Sequence, residues 1–168
     1  MKKVIVLMLL IFTLFISGCA EKDLIDIYTF ADRFSNTSQT FKINTDNFLA
    51  TEKDGELIFP VTFGEKFLLT IRVNEKTSLI TDVSAVYLSE DKKIITDEDF
   101  TQFCEIVECT AKAFTNFDAT DDILLNLSLK EKDNLFKNTH LHYEKGDYSF
   151  SLVSNEMGIY FSASTERR

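Results

Sequence analysis

The chain has 168 residues, with 27 acidic and 18 basic side chains, a formal net charge of −9 and a hydrophobic content of 45%. That is the size of an ordinary domain with enough large apolar side chains, 16 Phe among them, to build a real core, which excludes a disordered class. The acidic balance makes nucleic acid and anionic lipid headgroups poor partners for most of the surface, because like charges repel over about a Debye length, ~10 Å.

At the N-terminus Lys2 and Lys3 precede an uncharged apolar run, Val4 to Phe15, too short to span a bilayer comfortably. The small residues Ser17 and Gly18 then lead to Cys19. The stretch Ile16-Ser17-Gly18-Cys19 resembles the lipobox of bacterial lipoproteins, with Ile16 standing where that family most often has Leu. The resemblance implies a diacylglyceryl group on the Cys19 thiol and cleavage between Gly18 and Cys19. Two acyl chains there give stable anchoring, where one gives only marginal binding. The organisation expected is a signal peptide over residues 1–18, a lipidated cysteine with a short tether over 19–22, and a single domain over 23–168. Removing residues 1–18 leaves 150 residues and, with Lys2 and Lys3 gone, moves the net charge from −9 to −11. Ala20, Glu21 and Lys22 reach only ~10 Å, so the domain is expected close to the extracytoplasmic face of the cell membrane. The mature chain, rich in Lys, Ile, Asn and Phe, resembles small cell-surface lipoproteins of Gram-positive bacteria. The apolar fragment Phe12 to Gly18 also looks like peptide pheromones released from such signals.

Leu24, Ile27, Tyr28, Ala31 and Phe34 recur at helical spacing, with Asp23, Asp26, Asp32 and Arg33 on the opposite side, and the polar run Ser35 to Ser38 ends the segment. From Thr40 to Leu88 the period is two. Phe41 and Ile43 start it, Asn44 to Asn47 mark a turn, and Asp54-Gly55 is a hairpin signal between apolar runs. Leu57, Phe59, Val61 and Phe63 share one face of the next strand, which Pro60 demotes to an edge or a bulge because it cannot donate to a ladder. Phe67, Leu69, Ile71 and Val73 then point inward, with Leu68, Thr70 and Arg72 outward. Leu79 to Leu88 reads as a strand that is apolar on both faces near its end, which predicts a helix over one side.

Ser89 to Lys93 is a charged turn. Thr96 is the N-cap of a second helix, and Asp97, Glu98 and Asp99 complement its dipole. Phe100, Phe103, Cys104, Val107, Ala111 and Phe114 form its apolar stripe. Residues 118–129 suit a short helix entered from Thr120, although Leu125, Leu127 and Leu129 also alternate as a strand would. Leu141 and Tyr143, then Tyr148, Phe150 and Leu152, then Ile159, Phe161 and Ala163 each alternate, with turns at Lys145-Gly146-Asp147 and Ser154-Asn155-Glu156. The hairpin near Asp54-Gly55 is echoed near Gly146-Asp147, either by duplication or because similar turns need similar residues. The fold class expected is α+β: amphipathic helices on an antiparallel β-sheet, arranged as two helix-plus-hairpin halves.

The constellation with metal-ligand character is His140-x-His142-x-Glu144. On a strand these project from one face, so two imidazoles and a carboxylate line up toward a divalent metal such as zinc, while no fourth ligand is evident and a solvated strand face needs polar residues in any case. Cys104 reads as a small core residue and Cys109 as a flanking thiol; their spacing lacks the Cys-x-x-Cys geometry of a redox pair. There is no Gly-rich phosphate loop, no Gly-x-Ser-x-Gly and no His-Glu-x-x-His. The functional expectation is a membrane-anchored binding module rather than an enzyme, engaging a protein or small ligand near the membrane through one sheet face or the edge near Pro60. The alternative is a metal-binding lipoprotein, or a metal-dependent enzyme, using His140, His142 and Glu144.

Overall fold

The computed structural model describes residues 24–88, 95–117, 120–135, 140–155 and 158–165. Cys19, the lipobox and the turn at 89–93 therefore lie outside the described residues. Seven strands form one antiparallel sheet: β1 (Thr51–Lys53), β2 (Glu56–Phe63), β3 (Phe67–Asn74), β4 (Ile80–Leu88), β5 (His140–Lys145), β6 (Tyr148–Asn155) and β7 (Gly158–Thr165). Their spatial order is β1-β2-β3-β4-β7-β6-β5. Two meanders, β2-β3-β4 and β5-β6-β7, thus meet through their last strands at the sheet centre. A helix precedes each: α1 (Ile27–Thr37) the first, and α2 (Asp97–Thr115) with the short α3 (Thr120–Asn126) the second. This is an α+β fold of helix-plus-hairpin halves.

Local chemistry explains the element ends. Asp54 and Gly55 hold φ of 54° and 78°, the positive values that a tight two-residue hairpin between twisted strands requires. Asp26 caps α1, its Oδ1 accepting from Tyr28 N at 2.9 Å and Thr29 N at 3.0 Å. Thr96 caps α2, its Oγ1 accepting from Asp99 N at 3.0 Å, and Asn116 closes that helix at φ 58°. Pro60 sits on β2 beyond Ile58, the last residue that β1 pairs, so this part of β2 is an edge and the missing N–H disrupts no outer ladder.

The helices cover one face of the sheet. Leu69, Ile71, Val83, Phe150, Leu152, Phe161 and Ala163 point into that layer and are buried. Facing them are Phe30, Phe34, Phe103, Ile106 and Phe114. α2 lies against β4 and β7, the central pair, and α3 against β5. At the β2–β3 end the core is aromatic: Phe34 stacks on Phe63 with centroids 5.6 Å apart, and Phe41 lies 4.9 Å from Phe63. Among the described residues no helix is long and apolar enough to cross a membrane.

Several expectations change here. The buried face of α1 is Ile27, Phe30, Ala31 and Phe34, while Tyr28 is 65% exposed. The cap at Asp26 sets the phase, and Tyr28 then lies ~100° round the helix from Ile27. Phe41 and Ile43 are buried or half-buried as expected, yet they do not form a strand. Side chains satisfy their N–H groups instead: Ser38 Oγ accepts from Phe41 N at 2.8 Å and Ser35 Oγ from Ile43 N at 3.0 Å. The two cysteines exchange roles, Cys109 being 3% exposed and Cys104 half-buried at the helix flank. Residues 120–126 are helical, with Ile123 and Leu127 buried and Leu125 exposed.

Candidate functional site: the open face of the sheet

Side chains that alternate with the core residues project to the other face of the sheet, over which no described element lies. The strand register sorts them into three rows running across the strands. The first is Leu68, Val86, Tyr160 and Val153, ending at His140. Thr70, Ser84, Ser162 and Ser151 make the second, ending at His142, with the Ser151 and Ser162 hydroxyls 2.8 Å apart. The third is Ile58, Arg72, Asp82, Ser164 and Ser149, ending at Glu144. An apolar row, a hydroxyl row and a charged row therefore lie side by side on one exposed surface.

The charged row is shaped by a slip in register. Arg72 pairs with Asp82 but Val73 pairs with Ile80, so Thr81 is an extra residue in β4. Ile80 stays buried, and both Thr81 and Asp82 line a cleft of about 520 Å³ with Glu56, Arg72, Ser84 and Ser162. Arg72 Nε is 3.9 Å from Asp82 Oδ1, and Arg72 Nη1 is 3.9 Å from Glu56 Oε2. Thr81 Oγ1 donates to Glu56 Oε1 at 3.2 Å. The Asp82 side chain is 26% exposed and has no hydrogen bond among the described residues. Burial, offset only in part by Arg72 and reinforced by Glu56, pushes its carboxyl up to about 6.

His140, His142 and Glu144 occupy the β5 edge of the same face and are exposed. The structure brings His142 and Glu144 together, Nε2 to Oε1 3.0 Å. Among the described residues no three or more His, Cys, Asp or Glu side chains form a group arranged to hold a metal ion. Neither a protein-family model, nor a curated protein, nor a solved structure matches the chain.

On the helix side, a cleft of about 480 Å³ is lined by Cys104, Cys109, Glu105 and Glu108. Its chemistry is already committed. Glu105 Oε1 accepts from Ser38 Oγ at 2.6 Å, Gln39 N at 2.8 Å and Thr40 N at 2.9 Å. Burial raises that carboxyl, and the hydrogen bonds from Ser38, Thr40 and Gln39 outweigh it and hold it below the usual range. Burial, with Glu108 beside it, pushes the Cys104 thiol up to about 12; burial with Glu105 and Glu108 does the same to Cys109. Such thiols are poor nucleophiles at neutral pH.

Sequence reasoning singled out the outward-facing Arg72 but neither Glu56 nor Asp82. The alternation of β3 places Arg72 outside, whereas the extra residue at Thr81 carries no sequence signal of its own. The apolar character on both faces near the end of β4 predicts a helix over one side, and helices do lie over the face of Val83 and Ala85, while Val86 belongs to the open apolar row.

Proposed function

We propose that the protein is a lipid-anchored, extracytoplasmic binding module that presents the open face of its sheet to a protein partner near the membrane. The anchor rests on the lipobox resemblance of Ile16 to Cys19. The observation that carries the binding reading is the uncovered face itself, with its adjoining apolar, hydroxyl and charged rows. Seven strands of three to nine residues, 50 in all, at ~3.3 Å per residue and ~4.8 Å apart, offer roughly 800 Å², close to the ~800 Å² each partner buries in a stable complex. Apolar side chains beside polar ones also match the make-up of such surfaces.

A photoreactive residue at Ser162, on intact cells, is expected to cross-link a recurrent protein, and the same residue at Glu98, at the start of α2, is not. Equal capture from both positions, or none from Ser162, overturns the reading. The anchor is tested separately. Cys19→Ser protein is expected to leave the membrane fraction, and unchanged pelleting with membranes would remove the lipid.

A second reading, a divalent metal at His140, His142 and Glu144, draws support from the 3.0 Å contact of His142 with Glu144. Zinc titration of the wild type and of His140→Ala decides it, since equal weak heats from both end the idea.

A further inference from the structure

We propose that the protein held on the open face is a second copy of this chain, packed face to face about a two-fold axis that runs along the strands between β4 and β7. This rests on the reading of that face as a binding surface and names its partner.

The rows fix the axis. A two-fold axis lying in the interface parallel to the strands exchanges β4 with β7 and β3 with β6, and each row then falls on itself. Val86 of one copy opposes Tyr160 of the other, and Leu68 opposes Val153, so apolar side chains cover the apolar row. Ser84 opposes Ser162, and Thr70 opposes Ser151. These are small enough for two sheets to approach to the ~10 Å of face-to-face packing, and each hydroxyl both donates and accepts. In the charged row Asp82 opposes Ser164, whose hydroxyl can donate to carboxylate oxygens that have no hydrogen bond among the described residues. An axis across the strands would instead set Val86 on Asp82 and Leu68 on Arg72.

Charge permits the contact. The rows take twelve outward positions from β3, β4, β7 and β6, and the charged residues among them are Arg72 and Asp82, opposite in sign. The net −9 of the chain is therefore carried elsewhere, where salt screens it over ~10 Å. A foreign cationic partner, drawn by the chain as a whole, would find no net charge on these rows.

The anchor selects the same axis. Ile80 N donates to Ile25 O at 2.9 Å, and Asp26 bridges to Leu79, so the chain enters the domain at the charged-row end of β4. Rotation about an axis along the strands keeps that end of both copies on one side. Cys19 precedes Leu24 by five residues, a reach of at most ~17 Å, and both thiols then meet one membrane. An axis across the strands would send the two entry points to opposite ends, about 25 Å apart. Confinement to one membrane also raises the effective concentration of the copies. The face itself offers the roughly 800 Å² per copy that a stable pair needs.

The test expresses two differently tagged forms of the full chain together on intact cells, one with p-azidophenylalanine replacing Tyr160, an aromatic of similar size. Illumination is expected to join it to the other tagged form, through the β4 peptide that contains Val86. Ser84→Arg in both forms sets guanidinium groups beside the axis and is expected to lower the yield at least five-fold. A different protein captured recurrently, attachment through the helices, or wild-type yield from Ser84→Arg overturns the second copy while leaving the open face as a binding surface. No protein captured overturns both. Urea unfolding guards the variant, and Thr70→Arg, against Ser151 of the other copy, repeats the comparison should Ser84→Arg fail to fold.

Discussion

Arg72 and Asp82 face each other across β3 and β4 with Nε and Oδ1 3.9 Å apart, at the residue where the register of those strands slips. The pair is too long for a hydrogen bond, so the guanidinium offsets only part of what burial costs the carboxylate.

Asp82 therefore makes stability depend on pH in a defined direction. Its carboxyl is raised from 3.8 to about 6 in the folded protein. The stability it contributes is full below pH 3.8 and is lost as pH rises through 6, because the unfolded chain releases the proton first. Asp82→Asn is expected to raise stability at pH 7 by about 1–3 kcal/mol, the lower figure allowing for water at a side chain that is 26% exposed. The gain should vanish below pH 4. Urea unfolding of both proteins at pH 7.5, 5 and 3.5 measures this, and an equal difference at all three values would contradict it.

Gly158 begins β7 at φ 154°, and a Cβ added there would lie 2.2 Å from the Tyr87 carbonyl oxygen. That atom belongs to the backbone of a central strand and cannot swing aside. Gly158→Ala is expected to cost about 3 kcal/mol or more. Gly55→Ala, with nothing within 4 Å of its added Cβ, should cost only about 1 kcal/mol for its positive φ. Denaturant midpoints rank the two.

Glu105 ties the chain after α1 to α2 through the Ser38 hydroxyl and the N–H groups of Gln39 and Thr40. Glu105→Ala is expected to cost roughly 1–2 kcal/mol, since water recovers part of what those donors lose. Its lowered carboxyl adds stability above the unfolded value near 4.5 that is lost as pH falls through the folded value. Amide exchange at Gln39 and Thr40 should quicken in Glu105→Ala and, in the wild type, as the solution is made acidic beyond the effect of pH on exchange itself.

Cys104 and Cys109, both free and both pushed up to about 12, are expected to react slowly with iodoacetamide at pH 8 in the folded protein. Cys104 should lead, because Cys109 is 3% exposed. In urea the two should label alike, and fast labelling of the folded protein would contradict their placement.

Much of this architecture was legible in the chain. The inward residues of β3, the Asp54-Gly55 turn, the Thr96 cap and the α3 helix all follow from periodicity and local hydrogen bonding, which act over a few residues. Phe41 was misread because a loop whose N–H groups are held by Ser38 and Glu105 can bury alternate residues as a strand does; the Glu105 contacts lie 65 to 67 residues away in sequence. The site was less legible for the same reason. His140, His142 and Glu144 were visible because they sit on one strand, whereas Glu56, Arg72 and Asp82 come from three strands and meet only through their register.

The central claim is that the open face holds a protein, and native mass spectrometry of the protein extracted gently from its own membrane tests it most directly. The mass predicted is residues 19–168 plus lipid, with a reproducible protein adduct that Ser84→Arg, in the middle of the open face, removes. An adduct that survives Ser84→Arg, or an added mass the size of a metal ion that His140→Ala removes, would contradict it.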